Sequence, residues 1–425
     1  MLIAIGMTIA CTGPAFGQLS APHSNTSKAG IHLQLDKTVY GRGETVWFNA
    51  YLFAQEGKPV GSTLQVELIK DDSLLKRVMY PIVLGVTNGQ LQLSKEISSG
   101  WYQLRAWTDQ SAVKPVCIGI YIIGRDVPDE KGKRSNLDSV RISFFPESGI
   151  LIAGLEARVG FTATDQFGNP IPMNGVIRDE KGNEINSFAT WDKGMGEFVF
   201  TPESTGRYHA EWSIAGQKHE LSLPAVQPAG TLLSLINHPE GFLFEIKQKG
   251  LDENEKGGWL VGTRNGQVVF KQALPKNQHS IQGVLKTKEL NSGILNIDIL
   301  NEQGRVLASR KVFVNNEEFR SPISIRTDTL SVQSKAKNKW WLQIPDSLQG
   351  TLSIAVTDAD LDGGLLNHTS ILSQVMLSTE LPYTVYQPDW YFHTTRDSAE
   401  IGLDLLMLTQ PARPLGADEE LKSVS

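Results

Sequence analysis

The chain has 425 residues, with 40 Lys and Arg against 46 Asp and Glu, for a formal net charge of −6. This net acidity argues against nucleic acid and anionic lipid as partners. Only two cysteines occur, and Cys11 falls in the apolar N-terminal leader, so the remaining thiol, Cys117, predicts neither a disulfide framework nor a Cys-based zinc site.

Residues 2–13 (LIAIGMTIACTG) form an apolar run too short to cross a bilayer, followed by the small-x-small site Ala15-Phe16-Gly17. The pattern predicts a signal peptide over 1–17 with cleavage before Gln18. No Lys or Arg precedes the run. Thr8-Ile9-Ala10-Cys11 leaves lipidation of Cys11 as the competing reading, although the Leu usual in such a site is missing. Both readings make the protein exported. No later stretch reaches the ~18 apolar residues of a membrane helix, so no transmembrane segment is predicted.

Beyond the leader, apolar residues alternate with period two, as in half-buried strands. Ile31, Leu33 and Leu35 share one face, and Leu64, Val66 and Leu68 another. Val159, Phe161 and Ala163, then Phe242, Phe244 and Ile246, then Leu352, Ile354 and Val356 continue the pattern. Turn clusters separate these runs: Gly57-Lys58-Pro59, Gly168-Asn169-Pro170, Lys181-Gly182-Asn183 and Asn265-Gly266. No strand–helix alternation precedes residue 365, which disfavours Rossmann and barrel enzymes. The fold class is therefore all-β, built of antiparallel sandwiches.

An internal repeat divides the chain. Ser99-Gly100-Trp101-Tyr102 corresponds to Thr205-Gly206-Arg207-Tyr208, and Ser292-Gly293 and Gln349-Gly350 open similar strands. Single cores stop growing near ~250–300 residues, so several domains are expected. The repeat places sandwiches at 31–124, 139–226 and 230–316, a partial β domain at 320–364 and a partly helical tail at 365–425. The charged stretch 126–134 reads as a linker.

Asp36-Lys37, Tyr40 and Gly41-Arg42-Gly43-Glu44, followed by the strand Thr45-Val46-Trp47-Phe48, resemble the opening of the macroglobulin MG2 domain. Arg42 stands where that family usually has proline. Phe144-Phe145-Pro146-Glu147-Ser148-Gly149, with Gly154, Phe161, Asp165, Gly168 and later Gly194-Met195-Gly196, resembles the middle domain of bacterial macroglobulin-like proteins. In that family the β domains commonly lead into a TonB-receptor plug domain. Ser370 to Leu377, Gln387-Pro388-Asp389-Trp390-Tyr391-Phe392 and Leu403 to Gln410 are similar to the segment before the plug. The family usually continues from Thr-Gln into Gly-Trp-Arg, whereas Pro411-Ala412-Arg413-Pro414 follows here. The chain is therefore identified either as a truncated relative that lacks the plug or as a short paralogue.

The resemblance implies tandem macroglobulin-like sandwiches of immunoglobulin or fibronectin III type. It implies a non-enzymatic protein of the periplasm or outer membrane of a Gram-negative bacterium, partnered with TonB-dependent machinery. Its motif residues are Tyr40, Gly43, Glu44, Pro146, Glu147, Gly149, Gly194 and Gly196. If the tail is a remnant, Leu403, Leu406 and Met407 would expose an apolar stripe.

Candidate chemistry is sparse, and no cofactor is expected. The thioester Cys-Gly-Glu-Gln of macroglobulin traps has no counterpart. Cys117 lies in an apolar strand and reads as a buried, inert thiol. Asp358, Asp360 and Asp362 begin like a calcium loop, but the twelfth position is Thr369 where an EF-hand needs Glu, so an acidic loop is the plainer account. His32, His209, His219, His238, His279, His368 and His393 show no metal-binding spacing. Asp-Ser/Thr pairs such as Asp72-Ser73 and Asp397-Ser398 resemble periplasmic O-glycosylation acceptors, although such pairs also mark turns.

Trp47 with Tyr51, Trp101 with Trp107, and Trp340-Trp341 are aromatic candidates for stacking, with core or inter-domain packing the first expectation. A non-covalent protease inhibitor and a carbohydrate-binding module therefore stand as alternatives, with a protease or a glycan as partner.

Overall fold

The computed structural model describes residues 29–416, apart from 54–59, 112, 125–139, 166–167, 204–205, 215, 253–255, 277, 279, 321–322, 330, 332, 334–335, 347–352 and 357–368. The signal segment with Cys11, the charged stretch 126–134 and the acidic loop of Asp358, Asp360 and Asp362 lie outside the described residues. The chain forms two compact units. One holds Ala29–Pro128 with Asn315–Val375, and the other holds Asp129–Val314 with Met376–Ser425.

In the first unit the strands are β1 (Ala29–Leu35), β2 (Val39–Gly41), β3 (Thr45–Phe53), β4 (Thr63–Lys70) and β5 (Ser73–Pro81). They continue with β6 (Val86–Gln92), β7 (Gly100–Thr108), β8 (Val113–Lys114) and β9 (Val116–Ile123). Two sheets, ordered β6-β3-β1-β8 and β2-β9-β7-β4-β5, enclose one core. The core takes Ile31, Leu33, Val46, Phe48, Leu64, Val66, Leu104, Ile118 and Ile120, each from the inward side of an alternating strand. On β3 and β7 every second residue is left outside, which is the physical meaning of the period seen in the sequence, whereas β1 is buried along its whole length.

Cys117 falls on the outward side of β9, opposite Arg105, and is only half-buried rather than in the core. Burial still pushes its thiol up to about 11, which keeps it protonated and unreactive near neutrality.

On the same outer face Glu67 sits opposite Arg77 on β5 and Arg105 on β7, bonded at 2.6 and 2.5 Å. Burial works against the Glu67 charge, but the two guanidinium groups outweigh it and hold its pKa below the ordinary value of 4.5. A depressed carboxylate stabilises above its ordinary pKa and loses that contribution as pH falls through the folded value. Between about pH 5 and pH 3, unfolding midpoints of wild type are therefore expected to fall more steeply than those of Glu67→Gln. Parallel midpoints across that range would show the triad to be idle.

The same unit ends in the hairpin β26 (Ser324–Thr329) and β27 (Lys339–Gln343). Leu352, Ile354 and Val356 were expected to form a strand. Leu352 lies outside the described residues, while 353–356 carry no strand pairing and leave Ile354 and Val356 exposed. Ser353 instead bonds to Tyr51 on β3 and Gln34 on β1.

The second unit contains two sandwiches. The first runs through β10 (Val140–Pro146), β11 (Leu151–Ile152), β12 (Ala157–Asp165), β13 (Asn174–Asp179) and β14 (Glu184–Asp192). It ends with β15 (Met195–Phe200), β16 (Tyr208–Ile214), β17 (Gln217–Ser222) and β18 (Val226–Gln227). Its seven-stranded order β10-β12-β15-β14-β13-β16-β17 turns at β14. Residues 184–189 of β14 pair with β13, and residues 190–192 pair with β15. The two halves thus face each other over Phe161, Phe188, Phe198, Tyr208 and Trp212.

The other sandwich packs β19 (Gly230–His238), β20 (Gly241–Lys249) and β23 (Ser280–Lys286) against β21 (Gly258–Arg264), β22 (Gln267–Leu274), β24 (Gly293–Leu300) and β25 (Val306–Val314). Asn265-Gly266 closes the β21–β22 hairpin with φ of 49° and 77°, as its sequence indicated. In the tail, α1 (Ile371–Ser373) continues as a helical turn through Gln374–Ser378, followed by α2 (Trp390–His393) and α3 (Arg396–Leu408). No helix among the described residues is long and apolar enough to cross a membrane.

Candidate functional site: the docked C-terminal helix

The expectation that the tail could leave Leu403, Leu406 and Met407 exposed is corrected. All three are buried, because α3 lies across β12, β15 and β25 of the second unit. On β12 the residue facing Leu408 is Gly160, where an added Cβ would come within 2.8 Å of the leucine side chain. The absent side chain makes the groove into which the helix settles.

Charge fixes the register of this docking. Pro146 ends β10, and the chain turns through Glu147, Ser148 and Gly149. Glu147 points inward, 3% exposed, and accepts from Arg310 Nε on β25 at 3.2 Å. Arg310 Nη2 donates to Asp404 Oδ1 on α3 at 2.7 Å. The other Asp404 oxygen accepts from Arg158 Nη2 at 2.6 Å, and Arg158 Nε donates to Glu197 at 2.9 Å. The result is a ladder, Glu147–Arg310–Asp404–Arg158–Glu197, in which acid and base alternate across the turn after β10, β25, α3, β12 and β15. Burial disfavours the Arg158 charge, but Asp404 and Glu197 outweigh it and hold its pKa above the usual guanidinium value.

Beside Glu147, Ser148 adopts φ of 68°. Its Oγ accepts from Leu233 N–H at 2.6 Å and donates to Leu233 O at 2.9 Å, which ties the turn to β19. The Phe-Pro-Glu-Ser-Gly motif is thus the junction of two sandwiches and the tail.

Three further contacts hold the tail. The turn between β14 and β15 places Lys193 Nζ 3.4 Å from the Trp390 ring centroid and 5.6 Å from that of Tyr391. Phe392 packs edge-on against Phe313 at 6.0 Å. Past the helix, Arg413 reaches Asp298 at 3.1 Å and Thr263 Oγ1 at 3.0 Å, covering a carboxylate that is otherwise fully buried on β24. The Gln387 to Phe392 and Leu403 to Gln410 motifs therefore acquire definite packing roles. Glu147, Asp404, Glu197 and Asp298 each pair with a guanidinium, so the arrangement clamps and positions.

Three other predicted motif residues, Tyr40, Gly43 and Glu44, belong to the first unit. Tyr40 is buried, with its hydroxyl 2.7 Å from Asp36 Oδ1 and 2.6 Å from Lys37 O. Glu44 Oε2 accepts from Gly41 N–H at 2.8 Å and from Lys37 at 2.6 Å. Gly43 N–H donates to Ser94 O. These residues build the turn into β3. Gly194 and Gly196 flank the β14–β15 turn, next to Lys193.

Sequence spacing missed two features. His209, Glu211 and the cross-strand Glu220 bring potential ligand atoms within 4.8 Å of one another. Arg178 already pairs with Glu211 at 2.8 Å and lowers its pKa, so the group is an ion-pair cluster. The aromatic expectation also changes: Trp47, Trp101 and Trp341 are exposed rather than core, because each lies on the outward side of its strand.

No family model matches the chain, and no curated protein matches it. Among solved structures, Salmonella alpha-2-macroglobulin reacted with methylamine aligns over 76% of this chain and 25% of its own, at 13% identity and a TM-score of 0.21. Trypsin-activated alpha-2-macroglobulin from Escherichia coli aligns over 76% and 26%, at 14% identity and a TM-score of 0.20. The elastase-activated E. coli form aligns over 71% and 32%, at 13% identity and a TM-score of 0.22. The chain spans about a quarter to a third of the length of these bacterial alpha-2-macroglobulins. Their likeness is one of β-domain architecture at low overlap, and no statement about function follows from it.

Proposed function

We propose that the chain is an exported, non-enzymatic structural and interaction protein of macroglobulin-like domains. It works beside TonB-dependent transport machinery in the envelope of a Gram-negative bacterium. The observation that carries this reading is the docked tail. The residues that resemble a plug-preceding segment include those of α2 and α3, and α3 is tied to two sandwiches by the Glu147–Arg310–Asp404–Arg158 ladder. A segment clamped this firmly suits the task of holding a neighbour at a set position. Ile401, exposed on α3, is the natural probe position. A photo-crosslinking residue there, in the native host, is expected to yield adducts with a TonB-dependent outer-membrane receptor. Adducts with proteases alone would sink the reading in favour of a non-covalent inhibitor.

A further inference from the structure

Strand alternation in the first unit buries Ile31, Leu33, Val46, Phe48 and Leu91, and so turns their neighbours outward on the β6-β3-β1 face. The register sets Gln34 opposite Asn49, Asn49 opposite Asn88, and Trp47 opposite Gln90. Amides and a tryptophan, rather than charged residues, therefore tile this face. Trp47 is 55% exposed. Among the described residues, the side-chain amides of Asn49, Asn88 and Gln90 bond to no protein group.

The segment 353–356 walls one side. Ser353 Oγ accepts from the Tyr51 hydroxyl at 2.7 Å and donates to Gln34 Oε1, which carries Ile354 and Ala355 to the rim. Between this wall and Trp47 runs a groove of about 610 Å³, within the usual size range of small-molecule sites.

We infer that this groove binds a neutral oligosaccharide, with Trp47 as the stacking platform and Asn49, Asn88 and Gln90 as the hydroxyl-recognising groups. Each primary amide both donates and accepts, which matches the paired hydroxyls of a sugar ring. The C–H face of a pyranose supplies the apolar surface that an indole ring needs. Charge decides against other ligands. Among the described residues Asp36 is the sole carboxylate lining the groove, and its Oδ1 accepts from the Tyr40 hydroxyl and the Trp47 N–H. An anionic ligand would meet this carboxylate and no Lys or Arg among the described lining residues, and an apolar one would leave three amides without partners. Trp341 offers a contrast. Its Nε1 donates to Asp328 at 2.5 Å, and Lys339 lies 4.4 Å from its ring centroid. That ring is already engaged.

The test is affinity electrophoresis of the full chain in gels containing a soluble β-glucan, a xyloglucan or a galactomannan, with polygalacturonate as the anionic control. At least one neutral polysaccharide is expected to retard the protein. Trp47→Ala and the double substitution Asn49→Ala/Asn88→Ala should each weaken that retardation roughly tenfold while leaving the unfolding midpoint unchanged. Trp341→Ala should behave as wild type. The inference falls if no neutral polysaccharide retards the chain, if polygalacturonate alone does, or if Trp47→Ala binds undiminished. None of these results bears on crosslinking at Ile401, which probes a different unit.

Discussion

Replacing Arg310 by Met is expected to destabilise the second unit by about 3–5 kcal/mol, the usual cost of removing one partner from a buried ion pair. The side chain is 3% exposed and joins two carboxylates, Glu147 and Asp404, on separate elements. Its loss leaves Glu147, equally buried, without its cation. Methionine fills much of the vacated volume, so the cost is electrostatic rather than one of cavity formation. Urea unfolding followed by tryptophan fluorescence provides the measurement. Adding Glu147→Gln to Arg310→Met should recover part of the loss, since it removes the stranded charge. A single-variant cost below about 1 kcal/mol, the range of exposed pairs, would mean that the ladder is solvated and does not fix the helix.

Gly194→Ala is expected to cost about 2–4 kcal/mol, the sum of left-handed backbone strain and overpacking. Gly194 has φ of 70°, and a Cβ there would stand 2.4 Å from the carbonyl oxygen of Ala163. That neighbour is backbone in β12 and cannot move aside cheaply. The turn also carries Lys193 into the Trp390 and Tyr391 rings, so distortion should spread to the tail. Limited proteolysis of the variant should therefore cut within 387–410 faster than in wild type. A variant with wild-type midpoint and wild-type cleavage would refute the role assigned to this turn.

Much of the architecture was legible along the chain. The alternation of Leu64, Val66 and Leu68 and of Val159, Phe161 and Ala163 named inward faces that the sheets bury. Asn265-Gly266 named its hairpin. The Phe-Pro-Glu-Ser-Gly and Gly-Met-Gly motifs stood out as special positions. Their partners did not. Glu147 meets Arg310 from 163 residues away, and Arg158 meets Asp404 from 246. No local pattern encodes a pairing at that separation.

Period two also tells only which residues share a face, and not whether that face is covered. Trp47, Trp101 and Trp341 were therefore placed in cores, and Ile354 and Val356 in a strand, when all five are exposed.

By itself the sequence determined an all-β chain of sandwiches with a short helical tail, because pleat, turn chemistry and apolar period are local properties. It also determined the absence of a thioester motif, since that signature is contiguous. Only the tertiary structure decided that the tail is an integral, clamped element. Only the structure, too, set three side-chain amides that bond to no other described group beside a tryptophan in one groove. Both outcomes depend on which distant strands become neighbours, and that choice is made by packing across the fold.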